Sequence, residues 1–418
     1  AWTEEKKREL QVQQEILEAW QHSEDAPEDL AKLPRLTLAD IQGDPEDQPT
    51  EVLTLHGTPV LLHRVETGGI SYVNLYFDAP GYGEEDLSRL SFLCELLGQV
   101  DTEKSTAEEL ANRIRLLCGG MGFRVMPHRK EGGGFGVKFC ASFSALDQNL
   151  SEALDLALEI LMRTKLEGQE DMVRDLLRQA KLQQFQSIVM GGHVVARTRA
   201  AAQFHTYEVA QECVGGYEYY NWLRTQDNDW NYGALTETLT ALYRRVVNGA
   251  ALTLSLTGRD AGAEILAKGA EALPREKAPV CDEILKPWGL RREGIAIPAD
   301  IAFAARMGDL GRYTGKVALA TKILTLSYLW NAVRVQGGAY GVWMLSGSSG
   351  LAGCLSYRDP NAKASLEKYL RCGDFLRQFC QGNPDLTGAI IGTVSDASPL
   401  LTPRMRGQAA DQHYWEGL

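Results

Sequence analysis

One short segment decides the fold of the 418-residue chain: Leu329-Trp330-Asn331-Ala332-Val333-Arg334-Val335-Gln336-Gly337-Gly338-Ala339-Tyr340-Gly341. Apolar residues at three- and four-residue intervals predict the end of an amphipathic helix, with Arg334 in its last turn. The double glycine predicts a tight turn. The residues after it predict a strand that opens with Tyr340. The segment therefore indicates a helix, a turn and a strand that bring an arginine and a tyrosine close together.

A weaker copy of this segment lies about two hundred residues earlier, at Leu110-Ala111-Asn112-Arg113-Ile114-Arg115-Leu116-Leu117-Cys118-Gly119-Gly120-Met121-Gly122. Aligning the glycines places Gly122 where the later copy has Tyr340. A second echo relates Cys140-Ala141-Ser142-Phe143 to Cys354-Leu355-Ser356-Tyr357. A repeat of this length and order favours two similar α+β domains over a short-period solenoid. We expect the chemistry in only one copy.

The domain organisation follows from length and composition, because 418 residues exceed what one core usually organises. Residues 1–45 predict a helical linker, with a helix from Glu4 to about Trp20 and proline-bearing acidic loops after it. We assign residues 46–275 to the first domain, 276–294 to a linker and 295–418 to the second domain. The fold class is α+β, each domain a mostly antiparallel sheet packed with helices. We expect the second domain to lack its last helices, after a helix start at Thr402-Pro403-Arg404.

Alternating apolar residues predict strands at 52–56, 59–65 and 70–77, with Val73, Leu75 and Phe77 facing a core and the other face free. Ser105-Thr106-Ala107-Glu108 predicts a capping box at the start of a helix. In the second domain we expect one helix over 317–334 and another over 362–379. The core stripe of the first of these helices is predicted to contain Leu319, Ile323, Leu326, Trp330 and Val333.

Composition excludes several classes of protein. A net charge of −12, without a basic aromatic face, argues against a nucleic-acid partner. The chain contains no run of about eighteen apolar residues that would predict a membrane span. Its charged N-terminal residues lack the apolar core of a secretory signal peptide. Eight scattered cysteines without Cys-x-x-Cys spacing indicate buried free thiols in a reducing compartment.

No metal or nucleophile motif is present. None of the seven histidines stands four residues from another, so His-Glu-x-x-His and His-x-x-Glu-His are both absent. We therefore predict no metal site in this chain. Gly132-Gly133-Gly134-Phe135-Gly136 lies between predicted strands, which favours a hairpin turn over a nucleotide-binding loop.

Arg334 and Tyr340 each admit a structural and a functional interpretation. A cation in the last turn of a helix stabilises its C-terminus, and a tyrosine at a strand start is often half buried. Together, the two side chains would instead offer charged and neutral donors to a carbonyl oxygen that gains negative charge. Asn331 lies along the same predicted helix face, with Leu324 and Ser327. The pattern alone leaves both interpretations open.

Three segments resemble the presequence-protease branch of the pitrilysin/insulysin zinc metallopeptidases. They are the segment around Arg334 and Tyr340, the entry segment Leu33-Pro34-Arg35-Leu36-Thr37-Leu38-Ala39-Asp40-Ile41, and the stretch Gly216-Tyr217-Glu218-Tyr219-Tyr220-Asn221-Trp222-Leu223. The resemblance covers nearly the whole chain, as the C-terminal half of such an enzyme. It implies four related α+β domains in the complete protein, two per half, joined by a helical hairpin and closing around a peptide. The two domains here would be the third and the fourth.

In that family the zinc, its ligands and the catalytic glutamate belong to the first domain, so the resemblance carries none of them to this chain. Arg334 and Tyr340 match the family's arginine and tyrosine of the fourth domain. The resemblance implies that they orient the substrate carbonyl and stabilise the oxyanion. We also predict that Asn331, on the same predicted helix face, contacts the substrate. It also implies an N-terminal half and unfolded peptides as partners, zinc as a cofactor bound elsewhere, and a bacterial cytoplasmic or organellar matrix location.

Two other functions remain open. The chain could be a non-catalytic scaffold or partner subunit with the same fold. Alternatively, it could be a peptide-binding module that uses the edge strand after Tyr340.

Overall fold

The computed structural model describes residues 3–23, 26–41, 43, 50–79, 81–130, 134–277 and 285–417. Its strands are β1 (Glu51–Leu55), β2 (Thr58–His63), β3 (Ile70–Asp78), β4 (Cys118–Arg129), β5 (Phe135–Leu146), β6 (Leu252–Thr257), β7 (Ala302–Asp309), β8 (Gly341–Ser346) and β9 (Leu351–Asp359). They form a six-stranded sheet of order β1-β2-β6-β3-β5-β4 and a three-stranded sheet of order β7-β9-β8. All neighbouring pairs are antiparallel except β2 and β6. The predicted α+β class with mostly antiparallel sheets is confirmed.

Helices make up most of the remaining described chain. They are α1 (Glu4–His22), α2 (Pro27–Leu30), α3 (Glu84–Leu96), α4 (Ala107–Leu117), α5 (Leu150–Arg163), α6 (Glu170–Met190), α7 (Gly192–Ala201), α8 (Thr206–Gly215), α9 (Tyr217–Asn228), α10 (Tyr232–Val246), α11 (Ala261–Ala270), α12 (Gly315–Ile323), α13 (Ala362–Tyr369), α14 (Cys372–Gln381), α15 (Thr387–Ala397) and α16 (Pro403–Glu416). A π-helix, Leu324–Val335, continues α12. None of the described helices is long and apolar enough to cross a membrane.

The first sheet is buried on both faces, which differs from the predicted single core face. Val73, Leu75 and Phe77 lie in the main core as expected. Asn74 and Tyr76, on the opposite face of β3, are also buried. Helix α16 covers that face, and its Asp411 accepts hydrogen bonds from Tyr76 Oη at 2.8 Å and Asn74 Nδ2 at 3.2 Å. The pattern within β3 could not reveal a covering helix more than three hundred residues away.

The first copy of the repeated segment has no turn at its glycines. Strand β4 begins at Cys118, directly after α4, so Gly119 and Gly120 lie inside the strand beside a bulge. Gly122 pairs with Ser142, and Val342 pairs with Ser356, the equivalent serine of the second copy. The register therefore places Gly120, rather than Gly122, at the position equivalent to Tyr340. In this copy the strand runs through the glycines, whereas β8 begins only after them, at Gly341.

Several predicted helix boundaries change. The capping box lies one residue later than expected: Thr106 is the N-cap, and the carboxylate of Glu109 accepts from its backbone N–H at 2.8 Å. The helix expected over 362–379 is two helices, α13 and α14, which separate at Leu370 and Arg371. The helix start at Thr402 is confirmed, with its side chain as the N-cap of α16. Two further expectations, the loop tip at Gly132 and Gly133 and residues 278–284 of the proline-bearing linker, lie outside the described residues.

The two sheets exchange covering elements. Helix α16 packs on the first sheet, whereas α7 packs against β7 and β9 of the second. At the start of α7, a Cβ on Gly192 would overlap the Phe303 ring, so only glycine permits this approach. Next to it, the His193 ring lies 4.8 Å from the Tyr357 ring, edge to face. An aromatic cluster therefore joins the first domain to the sheet that contains β8.

Candidate functional site

Arg334 lies near the end of the π-helix. The backbone N–H of Gln336 donates to the carbonyl of Asn331, five residues earlier, at 2.9 Å. π-Helical turns are rare and occur frequently at functional sites. Each turn holds more than 3.6 residues, so side-chain directions differ from those of the α-helix that the sequence predicted. Leu326 and Trp330, predicted as core, are 55% and 40% exposed, while Leu324, Leu329 and Val333 are buried.

The predicted double-glycine turn follows the π-helix and is confirmed. Gly338 has φ +83°, a left-handed conformation that ends a helix without a Cβ clash. Its N–H donates to the carbonyl of Arg334 at 2.9 Å, and the N–H of Ala339 donates to that of Val333 at 3.2 Å. A Cβ on Gly337 would overlap the same Val333 oxygen. These constraints reverse the chain sharply and return Tyr340 beside Arg334.

The Arg334 guanidinium lies against two aromatic rings. Its Cζ is 4.0 Å from the centre of the Trp330 ring and 5.8 Å from the centre of the Tyr340 ring. Both distances are within the range of cation–π attraction. Arg334 forms no ion pair with any carboxylate that the structure describes. Since ring faces do not use up its N–H donors, the guanidinium retains them for another acceptor.

Tyr340 is solvent-exposed, with 69% of its surface accessible, so the half-buried position considered from sequence is wrong. Its ring meets the Tyr357 ring edge-on at 6.0 Å. Its backbone N–H donates to the carbonyl of Tyr357 at 3.1 Å, which fixes the start of β8. Tyr357 is in turn held by Arg358, whose Nε donates to its hydroxyl at 3.1 Å, and by His193. Among the described residues the Tyr340 hydroxyl has no hydrogen-bond partner, so it can donate to a ligand while its ring is supported.

Asn331 does not share this surface. It lines a cleft of about 610 Å³ between the π-helix and α13–α14, together with Ser327, Tyr328 and Gln336. Arg334 and Tyr340 do not line this cleft. The π-helical winding separates Asn331 from Arg334, although the sequence predicts them on one helix face. The structure thus brings two of the three predicted site residues together and places the third on a neighbouring surface.

Sequence reasoning missed two members of the site. Trp330 belongs to the predicted core stripe, although its spacing of four residues from Arg334 was a signal for a side-chain pair. In the sequence, only the internal repeat draws attention to Tyr357. Its contact with Tyr340 follows from the pairing of β8 with β9.

The edge strand β8 is partly capped. The side-chain oxygen of Thr325, in the π-helix, accepts from the Met344 N–H at 3.0 Å and donates to the Met344 carbonyl at 3.4 Å. These are the outward-facing groups with which an added peptide strand would pair. The cap therefore disfavours the peptide-binding module that adds a strand along β8.

Metal ligands do not converge within the described ranges. No group of three His, Cys, Asp or Glu side chains there is arranged to hold a metal ion. His63, which the sequence places in a His-Arg-Val-Glu run, is buried, and its Nε2 lies 2.8 Å from Asp411 Oδ1. These residues do not fit a zinc site, and no catalytic step of this chain is assigned to a metal.

The chain matches two family models. Residues 1–225 match the model of the domain associated with peptidase family M16, subfamily C, and residues 292–411 match the PreP C-terminal domain. Among curated relatives, Protein HypA of Clostridium perfringens is 28% identical over 94% of this chain and 41% of its own length. Presequence protease 1, chloroplastic/mitochondrial, of Arabidopsis thaliana is 28% identical over 98% of this chain and 39% of its own. The chain thus spans about two fifths of the length of these relatives.

Solved structures share the fold. A peptidase M16 inactive domain from Pseudomonas fluorescens superposes with a TM-score of 0.59 at 15% identity, covering 88% of each chain. A conserved protein from Enterococcus faecalis superposes with a TM-score of 0.53, also at 15% identity, covering 86% of this chain and 93% of its own. At this identity the superpositions establish the fold alone. The family model over residues 1–225 spans more than half of the sequence, and the chain therefore belongs to the family associated with peptidase M16, subfamily C, as the C-terminal half of a presequence-protease-like M16 peptidase.

Proposed function

We propose that this chain is the C-terminal half of a zinc metalloendopeptidase that degrades unfolded peptides, with Arg334 and Tyr340 acting on the substrate backbone. The zinc and its ligands are assigned to the N-terminal half, which is also the main partner. Membership of the peptidase family and the names of the relatives support this proposal. Those names also favour an organellar matrix, with the bacterial cytoplasm as the alternative location.

The observation that carries the proposal is an arginine held by rings instead of carboxylates. The guanidinium of Arg334 has no described ion-pair partner, and the exposed phenol of Tyr340 lies on the same surface. Together they supply one charged and one neutral donor to a substrate carbonyl. Donors that are fixed before reaction stabilise charge that develops on that oxygen, because they need no reorganisation. They also orient the backbone, which lowers the entropy cost of reaction.

The role of the pair is tested in the complete two-half enzyme. We expect Arg334→Ala and Tyr340→Phe each to lower turnover roughly a hundredfold, the cost of losing one well-placed donor. Arg404→Ala and Tyr414→Phe, at exposed positions of α16, serve as matched controls and should leave turnover unchanged. Peptide cleavage is measured under single-turnover conditions, which separate chemistry from product release. Unchanged rates for both site variants would remove them from the mechanism.

A second candidate is a non-catalytic scaffold or partner subunit. Its fold, which the chain shares with a protein described as an M16 inactive domain, is compatible with this function, and the lack of converging metal ligands among the described residues is expected under both functions. The coding sequence upstream of Ala1 distinguishes the two functions. A His-x-x-Glu-His motif in the same reading frame supports the enzyme, whereas a stop codon supports a separate subunit.

A further inference from the structure

The cleft beside Asn331 has an unusual charge for this protein. It is lined on one side by the π-helix and on the other by residues of α13, α14 and the bend between them: Lys368, Arg371, Asp374, Phe375 and Gln378. Lys368 and Arg371 form no ion pair with a carboxylate in the described part of the chain. Asp374, the single acidic lining residue, is matched by Arg377, whose Nη2 donates to it at 2.5 Å. The cleft thus carries two unmatched cations in a chain of net charge −12.

The walls of the cleft are fixed. The Tyr328 and Phe375 rings stack at 4.9 Å with an interplanar angle of 22°. Tyr328 Oη donates to the backbone carbonyl of Lys368 at 3.1 Å, which ties the π-helix to the end of α13. Asn331, in the π-helix, and Gln336, directly after it, line the opposite wall and contribute two amide residues. The cleft therefore combines an aromatic wall, two amide residues and two cations, and a ring stack and a hydrogen bond hold its walls together.

We infer that this cleft binds the side-chain carboxylate of an aspartate or glutamate in the peptide substrate. The inference rests on the proposed function, since it takes the occupant to be a peptide. Lys368 and Arg371 would pair with the carboxylate, the amides would contact the backbone and the aromatic wall would hold the side-chain methylenes. The π-helix carries both this subsite and Arg334, so one helix would position the substrate at two points. Because Lys368 and Arg371 give the cleft a positive charge, it should bind an acidic residue of the peptide in preference to a basic one.

Direct binding to the 418-residue chain tests this subsite without requiring catalysis. Fluorescence anisotropy is measured with a labelled, C-terminally amidated peptide that has one central glutamate, and with the same peptide carrying glutamine. We expect the glutamate peptide to bind about tenfold more tightly at low salt, an advantage that shrinks as salt screens the charges. The double variant K368Q/R371Q should abolish this difference.

Matched variants and peptides make the result decisive. K363Q/R404Q removes the same charge at exposed positions outside the cleft and should keep the preference for glutamate. Equal binding of the two peptides, or an equal loss of preference in both double variants, would overturn the subsite. So would a free C-terminal carboxylate that raises affinity as much as the glutamate does, since the cleft would then recognise chain ends.

Kinetics of the complete enzyme distinguish the subsite from the proposed catalytic role. There, K368Q/R371Q should raise KM for the glutamate peptide about tenfold and leave kcat unchanged. Arg334→Ala should lower kcat for both peptides. If the isolated chain prefers glutamate but the Arg334 variant cleaves normally, the subsite stands and the catalytic assignment fails. If the Arg334 variant is impaired but no glutamate preference exists, the reverse holds.

Discussion

At the scale of single residues, the site depends on how Arg334 is held. An arginine on a surface helix can pair with a carboxylate three or four residues away. Here the residue four positions earlier is Trp330, and the Arg334 Cζ lies 4.0 Å from its ring centre. A ring orients the guanidinium and leaves all its N–H groups for an acceptor. Trp330 is therefore a positioning residue, and it does not itself contact the reacting atoms in our proposal.

We expect Trp330→Ala to lower kcat of the complete enzyme about two- to fivefold, because a cation–π contact at an exposed site is worth about 0.5–1 kcal/mol. Trp330→Phe keeps a ring face and should retain most of the activity. The temperature of unfolding should change little in either variant, since the ring is 40% exposed. A loss of kcat that Trp330→Phe fails to rescue would contradict a positioning role.

The sequence predicted part of this arrangement. Arg334 and Tyr340 stand on either side of two glycines, and this spacing was enough to predict that both side chains reach one surface. It was not enough to place Asn331 or Trp330, because their directions were read with a period of 3.6 residues. The π-helix has a wider turn, and it forms in tertiary contact with β8 and α13–α14. No local pattern in residues 324–335 signals it.

At the scale of elements, the junction between the π-helix and β8 controls access to a sheet edge. Thr325 satisfies the outward-facing N–H and carbonyl of Met344. A side chain in this position stabilises the strand and also blocks another strand from pairing there. Natural proteins protect exposed edges in comparable ways to avoid association.

We expect Thr325→Val to lower the free energy of unfolding by about 1 kcal/mol, because this is the usual net contribution of one hydrogen bond. Because the uncapped edge can pair with another chain, light scattering should also detect more self-association at high concentration. Thr238→Val, which removes a hydroxyl on the exposed surface of α10, is the matched control. Equal stability of the two variants would show that the cap contributes nothing.

Element types followed well from the sequence, and their ends followed less well. The strands at 52–56, 59–65 and 70–77 match β1, β2 and β3 closely, since alternation and turn residues are local signals. The division between α13 and α14 was missed because the apolar pattern continues across it. Tertiary packing decides this break: Tyr369 and Cys372, on either side of it, are both buried against the second sheet.

At the scale of the whole molecule, a buried carboxylate anchors the last described helix to the first sheet. Asp411 is 2% exposed and accepts from Tyr76, Asn74 and Ser255, with His63 against its other oxygen. The nearby Gly407 lies so close to the sheet that a Cβ there would overlap Thr257 Oγ1. An acidic residue on a helix is usually exposed, so no pattern in the sequence predicts this contact.

Removing the carboxylate leaves several buried donors without an acceptor. We therefore expect Asp411→Ala to lower the free energy of unfolding by about 3 kcal/mol. Gln412→Ala, at the adjacent exposed position, should stay within about 0.5 kcal/mol of the parent chain. Urea denaturation followed by tryptophan fluorescence measures both. A small effect of Asp411→Ala would mean that α16 is not anchored through this residue.

The same interface predicts an acid sensitivity. His128 lies 6.2 Å from the Trp415 ring of α16, and burial, aided by Lys138, lowers its pKa to about 4. Between pH 6.5 and 4 the unfolded chain takes up this proton before the folded one, so stability is lost as the pH falls through that range. We expect His128 to contribute a loss of about 3 kcal/mol over this range. Denaturation midpoints of His128→Gln should fall less steeply with acid than those of the parent chain, and parallel pH profiles would refute this assignment.

The exchange of α7 and α16 between the two sheets has a consequence for dissecting the protein. Within the described residues, the first sheet is covered by α16 from the second part of the chain, and the second sheet by α7 from the first part. Expressed separately, the two pieces should be insoluble; produced together, they should recombine without a covalent link. A cut between the two sheets would therefore pass through a packed interior, and a soluble fragment would have to retain the helix that covers its sheet.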